Sequence, residues 1–212
     1  MPITFSGCST NEKLIFEKVA ENEELNIKDK MENFMKDKYG ENISILSMTR
    51  QAGISYMDGY GYWAEARVDE TGDEFEVYAD YLGRKIEDDY AKIIYDDMIK
   101  KKVTELIEAY TQCSQYSYDI IYVPTTQMFK NPEQLDEYLE QTETYIDAEF
   151  QIAQRDPEQV AQEMYCLAQA FSDQHIHFAF ELKYKDASII GNDSENSVFM
   201  SLDKLLDRIK PM

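Results

Sequence analysis

Chemistry-bearing side chains are sparse in this chain of 212 residues, which holds two histidines, three cysteines and one tryptophan beside eight glycines and five prolines. A hydrolytic nucleophile needs a base and an orienting group. Two histidines, with no Gly-flanked serine and no Cys/His signature, supply little for one. The few glycines form no phosphate-cradling loop, because "DGYGYW" leads into a strand pattern rather than a helix. Cys8, Cys113 and Cys166 lack the short paired spacings of zinc and redox sites. No run reaches the roughly eighteen apolar residues that a membrane span needs. Basic residues are half as numerous as acidic ones, 21 against 42, which gives a formal charge of -21 spread along the chain. Even "KKKV" at Lys100 to Val103 lies between "YDDM" and "TELIE", so no nucleic-acid partner is expected. Nothing in the sequence calls for a cofactor.

What is present describes a folded protein: 43% hydrophobic residues, 13% aromatics and 16 tyrosines, side chains that serve equally in a sheet face and in a contact surface. Ile27, Met31, Phe34 and Met35 fall on one helical face, and Gly40 follows Tyr39 where a left-handed residue ends a helix, so a helix is expected from Ile27 to Tyr39. The preceding "NEKLIFEKVAENEEL" fits either a helix or a tether. A strand from about Asn42 to Arg50 comes next. It precedes a hairpin whose arms carry Tyr62, Ala64, Ala66 and Val68, then Phe75, Val77, Ala79 and Tyr81, with the turn at Asp69 to Asp73. A long amphipathic helix then runs to about Tyr110, with Asp88 or Asp89 as its cap.

"SYDIIYVP" reads as a strand inside a sheet, because it is apolar on both faces and stops at Pro124. "NPEQLDEYLEQ" and "DPEQVAQEMYCLAQAF" each place a capping Asn131 or Asp156 before a proline at the first helical position. Strands follow each helix, with Ile146, Ala148, Phe150 and Ile152 alternating in one and Ile176, Phe178, Phe180, Leu182 and Tyr184 in the other. Their mutual direction stays open. "KDASIIGNDSENS" reads as a mobile loop, and "SLDKLLDRIK" as a short helix capped by Ser201. The fold class is α+β: a helix plus a three-stranded antiparallel meander and a long helix, followed by a second β-α-β-α-β lobe.

His175 and His177 are expected on one strand face, where Glu181 completes the nearest thing to a metal shell. With no other ligand cluster the expectation is no metal, the pair forming the polar side of an amphipathic strand. Cys166 is expected as an inert buried thiol, against a disulfide to Cys113. The acidic pairs and the short "DETGD" turn read as solvated carboxylates rather than a calcium loop. Tyr56, Tyr60, Tyr62 and Trp63 gather beside glycines at a loop-to-strand junction, which suits them to contact a partner.

"TFSGC" resembles the lipobox of bacterial lipoproteins, with Phe5, Ser6 and Gly7 before Cys8. The resemblance implies lipidation at Cys8, with residues 1–26 as the remnant of a truncated signal and a tether. "MKDKYGENISILSM", "YWAEARVDETGDEFEVYAD" and "GRKIEDDYAKIIYDDM" resemble a family of small Gram-positive lipoproteins with a cystatin-like core, over roughly Ile27 to Ile99. That resemblance implies an extracytoplasmic, lipid-anchored protein with no assigned activity. Two lobes are expected, 27–112 and 113–212. The expected function is non-enzymatic binding of a protein or surface partner. The alternative is a cytoplasmic acidic immunity or inhibitor protein that neutralises a basic toxin or nuclease.

Overall fold

A computed structural model describes residues 10–52, 60–152, 155–184, 187–192 and 202–209. The fold is α+β, as expected, and its strands form two separate sheets of four. The chain divides into two compact units, Met1–Asp88 and Asp89–Met212. The division falls after Asp88 rather than at residue 112. The reason is the buried stripe Tyr95, Ile99, Val103 and Ile107 of the long helix, which belongs to the apolar cluster of the second unit.

In the first unit, helix α1 (Thr10–Tyr39) precedes strands β1 (Ile43–Ala52), β2 (Tyr60–Val68), β3 (Glu74–Asp80) and β4 (Ile86–Asp88), paired in that order and antiparallel throughout. The sequence left residues 11–25 open; α1 includes them. Helix α1 packs against β1 and β3. Its Ile27, Met31, Met35 and Tyr39 recur at the helical period and are buried, as are Ala64, Ala66, Phe75 and Val77 of the sheet. The hairpin forms in the expected place, with Ala66 opposite Phe75 and Ala64 opposite Val77. Gly72, at φ 82°, takes the left-handed position that its turn requires.

The meander has a fourth strand, β4, where a helix start was expected. Asp88 caps nothing: it lies in β4, fully buried, accepting from Lys38 Nζ at 2.7 Å and Tyr39 Oη at 2.8 Å. Two donors from the end of α1 hold this carboxylate, so β4 is fixed by residues fifty positions earlier. Burial pushes the Lys38 ammonium below the usual lysine range, while Asp88 and Glu87 act in the opposite direction.

The second unit opens with α2 (Ala91–Tyr110), whose N-cap position is Tyr90 with no side-chain cap. Strand β5 (Tyr116–Ile121), a 3-10 turn at Pro132–Gln134, α3 (Leu135–Gln141), β6 (Thr144–Gln151), α4 (Pro157–Ser172), β7 (Ile176–Tyr184), β8 (Ala187–Asn192) and α5 (Leu202–Ile209) follow. Both proline-marked helix starts are confirmed. Asp156 accepts from the Glu158 N–H at 3.0 Å, and the Asn131 N–H donates to Gln134 Oε1 at 3.3 Å. The sheet order is β5-β6-β7-β8, with β6 and β7 parallel and the other pairs antiparallel. Strand β5 is therefore an edge rather than an interior strand, and its Ile121 is 51% exposed.

Ala187–Asn192, within the stretch read as a mobile loop, form β8, where Gly191 lies opposite Phe180. A Cβ at Gly191 would lie 2.5 Å from the Phe180 ring, so glycine lets the aromatic ring lie over the strand. Ile146, Ala148, Phe150 and Ile152 of β6 and Ile176, Phe178, Phe180 and Leu182 of β7 are buried as their alternation implied. Leu205 and Ile209 of α5 complete the same core, and Ser201 lies outside the described residues. Among the described residues, no helix is long and apolar enough to cross a membrane.

Candidate functional site

Period two gives the first sheet an inner face, against α1, and an outer face. Because neighbouring residues in a strand point to opposite sides, Tyr62 and Trp63 part company. Tyr62 is 2% exposed and belongs to the core, which corrects its assignment as a contact residue. Trp63 is on the outer face, half-buried, and packs on Tyr78 directly across from it on β3. Tyr56 lies outside the described residues, and only the backbone of Tyr60 is described.

The outer face continues as one row across four strands: Thr49, Trp63, Tyr78 and Glu87. Around the row stand carboxylates. Glu76 accepts the Tyr78 hydroxyl, Glu65 lies directly opposite Glu76, and Ser47 Oγ donates to Glu65 at 2.9 Å. Two like charges face to face across a ladder cost stability unless something cationic is nearby. Glu87 is 9% exposed. Lys85 reaches its Oε1 at 2.9 Å, while its buried Oε2 has no hydrogen-bond partner among the described residues. A buried carboxylate oxygen without a donor is costly, and this one sits beside an aromatic pair. Aromatic faces and carboxylates together attract ammonium and guanidinium groups. Tyr78 escaped the sequence reading, although counting pairs outward from the Asp69 to Asp73 turn would have placed it opposite Trp63; Glu87, read among the acidic pairs as a solvated carboxylate, is instead buried, because β4 pairs it with Tyr78.

The histidines occupy a different place. His175 is not in the strand; it lies in the turn after α4 with φ 57°, in the left-handed region that few residues other than glycine adopt. His177 is in β7 and stacks on Tyr145, ring centroids 4.7 Å apart, and Tyr145 Oη donates to Glu143 at 3.0 Å. Both imidazoles line an open cleft of about 410 Å³ with Glu140, Glu143 and Ser172, where α3 and α4 end. Glu181 lies further along β7 and pairs with Lys183 at 3.6 Å. Among the described residues, no three His, Cys, Asp or Glu side chains converge on a point that could hold a metal ion, so the histidine–Glu181 shell does not assemble.

Cys113 and Cys166 are both free thiols. Cys113 is buried, and Cys166 half-buried. Burial pushes the Cys113 thiol up, opposed by the Arg155 guanidinium, whose Nη1 donates to Sγ at 3.1 Å while Nη2 pairs with Glu163 at 2.6 Å. Cys8 lies outside the described residues.

No protein-family model matches the chain, and no curated protein is similar to it. Among solved structures it is similar to a DUF5037 family protein from Ruminococcus gnavus ATCC 29149, at 15% identity over 74% of each chain with a TM-score of 0.36. A likeness at that score supports no conclusion about fold or activity.

Proposed function

We propose that this chain is a non-enzymatic binding module that engages a basic protein partner through the outer face of its first sheet. The observation that carries the reading is the cross-strand pair Trp63–Tyr78 standing among Glu65, Glu76 and Glu87, with one oxygen of Glu87 buried and without a donor among the described residues. Half-buried Trp63 is the aromatic contact, held rigidly by Tyr78, which is 7% exposed and backs it from the next strand, and the carboxylates favour a cationic surface over it. The charge of -21 adds long-range attraction for such a partner.

A photo-crosslinking residue placed at exposed Glu65 tests this. The expected result is a covalent adduct with a Lys/Arg-rich protein, identified by mass spectrometry, that weakens with salt and disappears on Trp63→Ala. A crosslinker at Glu105, exposed on α2, is expected to give none. An adduct that survives Trp63→Ala, or that forms equally from Glu105, refutes the reading.

We read the protein as extracytoplasmic and lipid-anchored at Cys8. The "TFSGC" box and the resemblance of Ile27–Ile99 to Gram-positive lipoproteins support this. The same charge favours a second reading, a cytoplasmic inhibitor filling the basic cleft of a toxin or nuclease. Detergent phase partitioning from a Gram-positive host separates the two. Anchoring predicts a detergent-phase protein that moves to the aqueous phase on Cys8→Ser, and the inhibitor reading predicts an aqueous protein throughout.

A further inference from the structure

Strand β1 is the outermost strand of the first sheet and runs for ten residues, "ISILSMTRQA". A strand paired on one side leaves alternate N–H and C=O groups along the other, a template that proteins normally guard with short length, charge or proline. The other sheet margins are shorter: β4 has three residues, β5 and β8 six each. β1 is long, contains no proline or glycine, and carries one charged residue, Arg50. Its first part is guarded. The Ile45 N–H donates to Glu32 Oε1 at 3.1 Å, and a bulge follows between Ile45 and Ser47. Beyond it, Ser47, Thr49 and Arg50 are exposed.

The surroundings of this stretch differ on its two faces. Thr49 pairs with Trp63, so a strand added outside β1 would extend the row Glu87, Tyr78, Trp63, Thr49 by one side chain on the acidic outer face. Met48 pairs with Ala64 on the inner side. There it lines a cleft of about 360 Å³ with Leu25, Lys28 and Glu24. Leu25 is 59% exposed, an apolar surface that water covers poorly. The edge therefore offers backbone pairing, a cation-favouring row on one face and an apolar recess on the other.

We infer that Ser47–Ala52 of β1 is the docking edge for an extended segment of the basic partner, whose cationic side chains line the outer face and alternate with apolar ones entering the Leu25–Met48 cleft. This rests on the proposed function and specifies its mode, which is β-strand addition with side-chain pockets read at every second residue. The occupant follows from charge. A second copy would bring another -21 to the same edge, whereas a lysine-rich strand meets an opposite field.

The probe is a ten-residue peptide of alternating lysine and valine, compared on the full chain with a peptide in which proline replaces every valine. Both carry the same charge, but the second lacks half the backbone donors. The emission of Trp63, the one tryptophan in the chain, reports binding, and amide hydrogen exchange locates it. The valine peptide is expected to bind at least roughly tenfold more tightly, to protect the amides of 47–52, and to weaken severalfold on Leu25→Ser, a surface change that leaves the core intact. Equal affinity of the two peptides overturns the docking edge. If that equal binding, followed by calorimetry because the variant has no tryptophan, is also lost on Trp63→Ala, the outer-face function stands without it. Failure of the valine peptide to bind, protection confined to other strands, or a dimer whose 47–52 amides are already protected without peptide each overturns it too.

Discussion

The most consequential single side chain in the first unit is Lys38. Its ammonium is buried, 2.7 Å from an Asp88 carboxylate that is 0% exposed, with the Tyr39 hydroxyl on the other oxygen. Removing one partner of such a pair leaves a desolvated charge behind, so Lys38→Ala should destabilise by about 3–5 kcal/mol, and Tyr39→Phe by about 1 kcal/mol. Adding Asp88→Asn to a Lys38→Met chain should recover most of the loss, because no ion then remains to be desolvated. Urea denaturation checks all three, and a Lys38→Ala loss under about 1 kcal/mol would mean that Asp88 finds water. In the second unit, burial first, and then Tyr138 and Glu137, push the Tyr95 phenol up to about 12. In the unfolded chain the same phenol loses its proton from about pH 10. The folded state thus holds the proton longer. The contribution is intact below pH 10 and falls as pH rises from there to about 12. Tyr95→Phe should remove one late-titrating phenol from the 295 nm absorbance curve and flatten the alkaline loss of stability; an unchanged curve would refute the assignment.

At the scale of elements, the least obvious strand has the clearest test. Gly191 lies under the Phe180 ring, which is 3% exposed and cannot swing into solvent. Gly191→Ala should cost about 1–3 kcal/mol through overpacking and raise amide exchange along β8 first. Exchange rising uniformly over the second sheet would instead mark a global effect. β8 was illegible in "ASIIGN" because its two isoleucines are adjacent and show no alternation among small and polar neighbours, and what makes it a strand is its pairing with β7. β4 was hidden for a similar reason. Two of its three residues are acids, and the donors that satisfy Asp88 come from α1. By contrast, the starts of the Pro132 and Pro157 segments depend on cap, proline and acid within four residues, so they could be read locally. β6 and β7 were equally plain, since their alternation coincides with burial. The candidate site was half legible. Its aromatic character stands in "GYGYW", but the choice between Tyr62 and Trp63 and the recruitment of Tyr78 and Glu87 depend on register, which a composition of neighbours does not contain.

For the whole molecule, charge is the controlling quantity. Forty-two acidic residues against 21 basic ones leave a folded surface that repels itself. Raising ionic strength from about 0.01 M to about 1 M shortens the screening length from about 30 Å to about 3 Å. The melting temperature should therefore rise over that range, and a fall would mean that the ion pairs outweigh the repulsion. Histidine placement gives the molecule a chemical address. The chain has two imidazoles, and both line the cleft where α3 and α4 end. A reagent selective for imidazole therefore marks that one crevice, so a single covalent label distinguishes one end of the second sheet from every other stretch of an otherwise anionic envelope.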